Sequence, residues 1–162
     1  MRAIVQRVTQ ASVMVDDELV SQIARGFMVL VGVGQGDTAQ DVDSLVKKIL
    51  TLRAFPDPTT GAQWKRNIKD ISGEILSVSQ FTLFAKTPRG RPDFHASAPT
   101  DTGRLLYQTF LEKLKLGYTE DRVKDGRFAA MMQVALVNDG PVTFTLDTQE
   151  LVASQATGSR DS

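Results

Sequence analysis

No cysteine occurs in the 162-residue chain, which excludes disulfides, thiolate catalysis and cysteine-ligated zinc. Net charge is absent too. The 19 basic residues are matched by 19 acidic ones, so no global field draws the protein onto nucleic acid or membrane, and any nucleic-acid contact must be local. Histidine occurs once, as His95. It cannot build a multi-histidine metal site, any Ser-His-Asp triad would have to use it, and in a loop rich in Pro and Gly it reads as an exposed residue. No apolar run approaches the ~18 residues of a membrane span, and the N-terminal stretch has no signal-peptide core. A soluble, cytoplasmic protein is expected.

What is present suffices for one domain: 41% of the residues are hydrophobic, enough for a core at this length. MRAIVQRVTQ, ASVMV and ELVSQIA read as strand, with Asp16-Asp17 as a hairpin turn. FMVLVGV is a continuous apolar run, hence a buried strand. A helix follows, capped by Asp37 or Thr38, with Val42, Leu45, Val46, Ile49 and Leu50 at helical spacing. Phe55–Asp70 is a long loop, Glu74–Ala85 a strand, and Lys86–Thr100 a second loop. A helix over Asp101–Leu116 places Leu106, Phe110, Leu111 and Leu114 on one face. Phe128–Val137 and Val142–Leu146 read as an antiparallel hairpin, Val142, Phe144 and Leu146 facing one way. The fold class is α+β: mainly antiparallel sheet in layers, with two main helices on one side. Residues 1–149 form the domain, and 150–162 a polar tail expected to be disordered.

Four motifs invite chemistry. VGVGQGD resembles a dinucleotide-binding turn, but the third glycine position is Asp37 and no Walker-type lysine follows; it reads as a tight strand-to-helix turn. In SVSQFTL, Val78, Gln80 and Thr82 share one strand face, so Gln80 and Thr82 are either exposed or the floor of a polar pocket. Thr82 is a conceivable nucleophile without a nearby base. Lys86, Arg89 and Arg91 put three cations in six residues, as a solvated loop or a phosphate clamp. In NDGPVT, Asp139-Gly140 suits a hairpin loop, and Pro141 opens the next strand; an isolated X–Pro bond favours trans.

MRAIVQRV, SQFTL and GRFAAMMQVALVNDGPVT, in that order from Met1 to about Leu146, together resemble the D-aminoacyl-tRNA deacylase family. The resemblance implies hydrolysis of the ester joining a D-amino acid, or achiral glycine, to the terminal adenosine of tRNA, with no metal or organic cofactor. It implies a homodimer with shared active sites, in which a cis Gly-Pro peptide, here Gly140-Pro141, enters the other subunit's pocket as a backbone filter supported by Arg7. Ser79, Gln80 and Thr82 match the second signature, with backbone N–H groups around Gln80 and Phe81 as oxyanion donors. Either Thr82 attacks, or the ribose 2′-hydroxyl helps activate water; the second is favoured because no base accompanies Thr82. Phe128 and Met132 match positions around the adenine, and equally suit core positions of the hairpin. The alternatives are a non-enzymatic nucleic-acid-binding protein on this fold and a general small-ester hydrolase using Thr82.

Overall fold

The computed structural model describes residues 1–157. Its first strand, β1 (Arg2–Val15), is the spine of the sheet. Alternating apolar residues bury Ala3 and Val5 on one face. The pairing register then slips between Val8 and Gln10, and the buried set becomes Val8, Ala11 and Val13, in a second core. At Asp16 and Asp17 the backbone takes φ of 49° and 63°, the left-handed values a two-residue hairpin requires. The chain returns as β2 (Glu18–Ile23) against the second half of β1, and β3 (Gly26–Gly32) pairs with its first half.

Helix α1 (Ala39–Thr51) starts where expected: the Thr38 N–H donates to the Asp41 carboxylate at 2.8 Å, closing its N-terminus. Its five periodic apolar residues are all buried. They share one core with Tyr107, Phe110 and Leu114 of α2 (Thr100–Gly117), so both helices cover the same face. Strand β4 (Glu74–Ser79) pairs in parallel with β3, and the short β5 (Val123–Asp125) in parallel with β4. The sheet is therefore mixed within the expected α+β class. Its order is β2-β1-β3-β4-β5, with β6 (Gln133–Asp147) on the other edge of β1. The Ser21 hydroxyl of β2 donates to the Asp125 carbonyl of β5 at 2.7 Å, so the ends of this order curl towards each other around the second core.

Three expectations are corrected. The strand read over Glu74–Ala85 ends at Ser79, and Phe81–Phe84 turn as a 3-10 helix. The reason lies across the sheet. A Cβ on Gly32 would stand 3.0 Å from the Gln80 carbonyl oxygen, and one on Gly34 2.5 Å from the Phe84 ring. The glycines of VGVGQGD thus admit this turn rather than a nucleotide.

The hairpin read over 128–146 is instead one strand, β6, both of whose halves run antiparallel to β1. Gln6 faces Thr143, but Val8 faces Asn138, so DGPV, residues 139–142, is extruded from a continuous ladder opposite Arg7. Its Gly140–Pro141 peptide is cis, where the isolated sequence favoured trans.

Finally, the tail read as disordered from Glu150 continues as a third helix, α3 (Thr148–Thr157). Buried Thr148 anchors it through an N–H bond to the Met1 carbonyl (2.9 Å) and a hydroxyl bond to Asp41 (2.5 Å). Residues 158–162 of that expected tail lie outside the described residues.

Candidate active site

A cavity of about 680 Å³ opens where β4 ends. One part of its lining is Val78, Ser79, Gln80 and Phe81 and a second is Phe128 to Met132; the end of β3, the start of α2 and residues of the 94–98 segment complete it. Volume and a mainly apolar lining with few polar groups suit a small organic ligand.

The Gln80–Phe84 turn is held from three sides. The Gln80 N–H donates to the Val31 carbonyl at 2.7 Å, so it is committed to the fold. The Ser97 hydroxyl donates to the Phe81 carbonyl at 2.9 Å, and Phe81 meets Phe94 edge-on with centroids 5.0 Å apart. Of the two backbone donors expected for an oxyanion, Phe81 N–H is left without an acceptor among the described residues, and Thr82 N–H beside it likewise. The Thr82 hydroxyl accepts from the Gln80 side-chain amide, and among the described residues no histidine or carboxylate bonds to it.

Phe128 and Met132 both line the cavity while packing against the two cores, so the core role is met and their side chains also reach the cavity. They belong to the irregular segment before β6. The Arg104 guanidinium lies 4.5 Å from the Phe128 ring centroid, and the Tyr107 ring 6.0 Å from it.

The extruded corner is built separately. Arg7 is 7% exposed, and its Nε donates to the Asp139 carbonyl (3.3 Å) and pairs with the Asp139 carboxylate (3.1 Å). Its Nη1 reaches the Ala54 carbonyl (2.7 Å) and Gln63 (3.3 Å). Asn138, missed by sequence reading, clamps the base of the corner: its Nδ2 donates to the carbonyls of Arg7 (2.9 Å) and Val142 (3.0 Å). Only the Asn in NDG, an ordinary turn residue, hinted at it. Gly140 and Pro141 are exposed, and no residue of 138–143 lines the cavity of the same chain.

Lys86, Arg89 and Arg91 are exposed, form no ion pair among the described residues and do not line the cavity. They sit on a loop closed by paired backbone bonds between Lys86 and Asp93, whose returning limb supplies Phe94, Ser97 and Ala98 to the cavity. His95 is exposed and paired with Asp93 at 2.7 Å. Tyr107, Phe94, Ser97 and Gly103, all lining residues, carried no signal beyond helix periodicity or loop composition.

Residues 4–147 match the family model described as D-Tyr-tRNA(Tyr) deacylase. The chain is 51% identical over 152 residues to a D-aminoacyl-tRNA deacylase of Candida glabrata, spanning 93% of this chain and 100% of that protein. It is 48% identical over 151 residues to a D-aminoacyl-tRNA deacylase of Saccharomyces cerevisiae, with the same two coverages. Among solved structures it matches a c-Myc DNA unwinding element binding protein at TM-score 0.88 and 46% identity, over 91% of this chain and 98% of that one. With the match spanning nearly the whole folded domain, cavity and corner included, the chain belongs to the D-Tyr-tRNA(Tyr) deacylase family.

Proposed function

We propose that this chain, as a D-aminoacyl-tRNA deacylase, hydrolyses D-aminoacyl-tRNA and glycyl-tRNA to tRNA and the free amino acid. In this reading the Gly140-Pro141 corner of a second copy screens the substrate's α-carbon. The observation that carries it is the cavity itself: one wall offers unbonded backbone N–H groups at Phe81 and Thr82, the other an aromatic and a thioether surface at Phe128 and Met132. The terminal adenine stacks on the second wall. The ester carbonyl then lies against the first, where the N–H groups meet the oxyanion as it forms. Water adds to the carbonyl carbon, assisted by the ribose 2′-hydroxyl. The C–O3′ bond breaks, O3′ recovers a proton, and the amino acid leaves. Ser79 and Gln80 shape the floor.

A homodimer is supported by two features. Strand β6 is a 15-residue edge, paired only with β1 among the described residues, and it exposes Val134 and Val137. Long apolar edges of this kind invite pairing with another chain. The corner stands exposed and outside its own chain's cavity, which suits a part lent to a neighbour. Backbone that meets the α-carbon reads handedness and leaves the side chain unread, so many D-amino acids, and glycine, are accepted. The direct test compares hydrolysis of D- and L-tyrosyl-tRNA by the purified protein; equal rates would refute chiral selection.

Two further outcomes are expected. Thr82→Ala should keep kcat within about threefold, because its hydroxyl faces no base among the described residues and an aminoacyl ester is already activated. An acyl-enzyme trapped on the native protein, or a dead Thr82→Ala variant that still folds, would restore Thr82 as nucleophile. Replacing Lys86, Arg89 and Arg91 by Gln should lower the slope of log affinity for tRNA against log salt by about 2, at ~0.7 per phosphate contact on single strands. An unchanged slope would make this loop merely solvated.

A further inference from the structure

The sequence reading and the mechanism above leave one buried polar cluster unused. The Tyr107 hydroxyl donates to Asp125 Oδ1 at 2.6 Å and lies 3.1 Å from the Ser77 hydroxyl. Tyr107 is 1% exposed, Ser77 is fully buried and Asp125 is half-buried. Such a cluster is costly unless every member is bonded. Here each side chain is, through the phenol, and the adjoining backbone is tied as well: the Gly126 N–H donates to the Ser77 carbonyl at 3.1 Å, and the Ser21 hydroxyl to the Asp125 carbonyl at 2.7 Å.

Its members join the two walls of the cavity. Ser77 lies two residues before Ser79 on β4, the strand that delivers the catalytic turn. Asp125 ends β5 and is followed by the segment that runs through Phe128 to Met132. Tyr107, on α2, lines the cavity and holds its ring 6.0 Å from that of Phe128. Burial, together with the neighbouring Asp125 charge, pushes the Tyr107 phenol well above its ordinary pKa, so it remains a proton donor throughout the working range. Burial also raises the Asp125 carboxyl, against the opposing hydrogen bond from Tyr107.

We infer that Tyr107, with Asp125 and Ser77, is a positioning residue for the nucleoside: it sets Phe128 at the spacing from the Ser79–Phe81 wall that admits the terminal adenosine. The inference rests on the function proposed above and extends it to three residues that touch neither the ester nor the α-carbon. Removing the phenol hydroxyl frees the Phe128 segment while the ester-binding turn keeps its own anchors at Val31 and Ser97. Substrate binding therefore suffers and the chemical step does not.

The test uses the full-length protein with D-tyrosyl-tRNA, and with an amide analogue in which D-tyrosine is joined to 3′-amino-3′-deoxyadenosine. Tyr107→Phe and Asp125→Ala should each raise KM and the analogue's Kd about tenfold, with kcat within about twofold, as loss of a hydrogen bond to a charged group implies. Combining them should add little, since both break one link. Asp125→Asn, which still accepts from the phenol, should recover most of the affinity. Ser77→Ala, the mildest change, should raise KM less than Tyr107→Phe. Lower thermal stability with KM and Kd unchanged would overturn the inference, as would a fall in kcat at constant KM. If the native protein neither binds the analogue nor hydrolyses the ester, the proposed function itself fails. If the native protein binds and Tyr107→Phe binds equally well, only the positioning role fails.

Discussion

Gly140→Ala is expected to reduce the preference for D- over L-tyrosyl-tRNA by about 100-fold, read as the ratio of the two kcat/KM values, because misplacing a positioning group by about 1 Å costs that order of effect. The backbone at Gly140 has φ +121°, which side-chain-bearing residues rarely adopt, and an added Cβ would stand 2.7 Å from Val142 Cγ2 and 3.1 Å from the Val142 nitrogen. Val142 directly precedes Thr143, where β6 re-enters the ladder, and its carbonyl is held by Asn138. The strand cannot yield, so the corner must. On the proposed reading, a corner so displaced would no longer meet the α-carbon of a substrate held by a second copy, and the L-ester would gain access while D-ester turnover falls. Arg7→Met is the companion variant. It removes the guanidinium from Asp139 and leaves the buried Ala54 carbonyl without its 2.7 Å donor. It should weaken discrimination in the same direction and destabilise the fold by about 2 kcal/mol in denaturant titration. A folded Gly140→Ala protein with native discrimination would remove the corner from the function altogether.

The second large effect is expected at Gly32, far from the corner in sequence. A Cβ there would lie 2.9 Å from Leu83 Cβ and 3.0 Å from the Gln80 carbonyl oxygen. Neither is the far end of a flexible side chain, so Gly32→Ala has to push the turn that carries the Phe81 and Thr82 N–H groups. Oxyanion donors act only within a few tenths of an ångström of their proper distance, and losing one costs about 10²-fold in kcat. We expect a loss of that order with KM for tRNA within about threefold, since none of the atoms nearest the added Cβ belongs to Phe128 or Met132. This is the reverse of the Tyr107→Phe signature, so the two variants together separate the ester wall from the nucleoside wall. Native kcat in a folded Gly32→Ala protein would mean that the turn takes no part in the chemistry.

Much was legible in the residues alone. The α1 stripe from Val42 to Leu50, the Asp16-Asp17 turn, the buried Phe27–Val33 run and the outward His95 follow from periodicity, turn chemistry and composition, which act over a few residues. The order of three motifs sufficed to bring the family within reach. What failed did so for want of long-range partners. The Ser79–Ala85 segment is apolar and aromatic enough to read as strand, yet it turns because two glycines 45 or more residues upstream leave room for it. NDGP reads as a hairpin, yet β1 pairs with both of its flanks, and Arg7 occupies the gap. Local sequence thus determined the first four strands' cores, the two main helices and which residues are apolar enough to bury, but not where β4 ends or how the NDGP segment pairs. Tertiary structure alone decided that Ser79, Phe81, Phe128 and Tyr107 enclose one cavity and that the Gly140 corner stands outside it, because those relations depend on pairing register and close packing between residues distant along the chain.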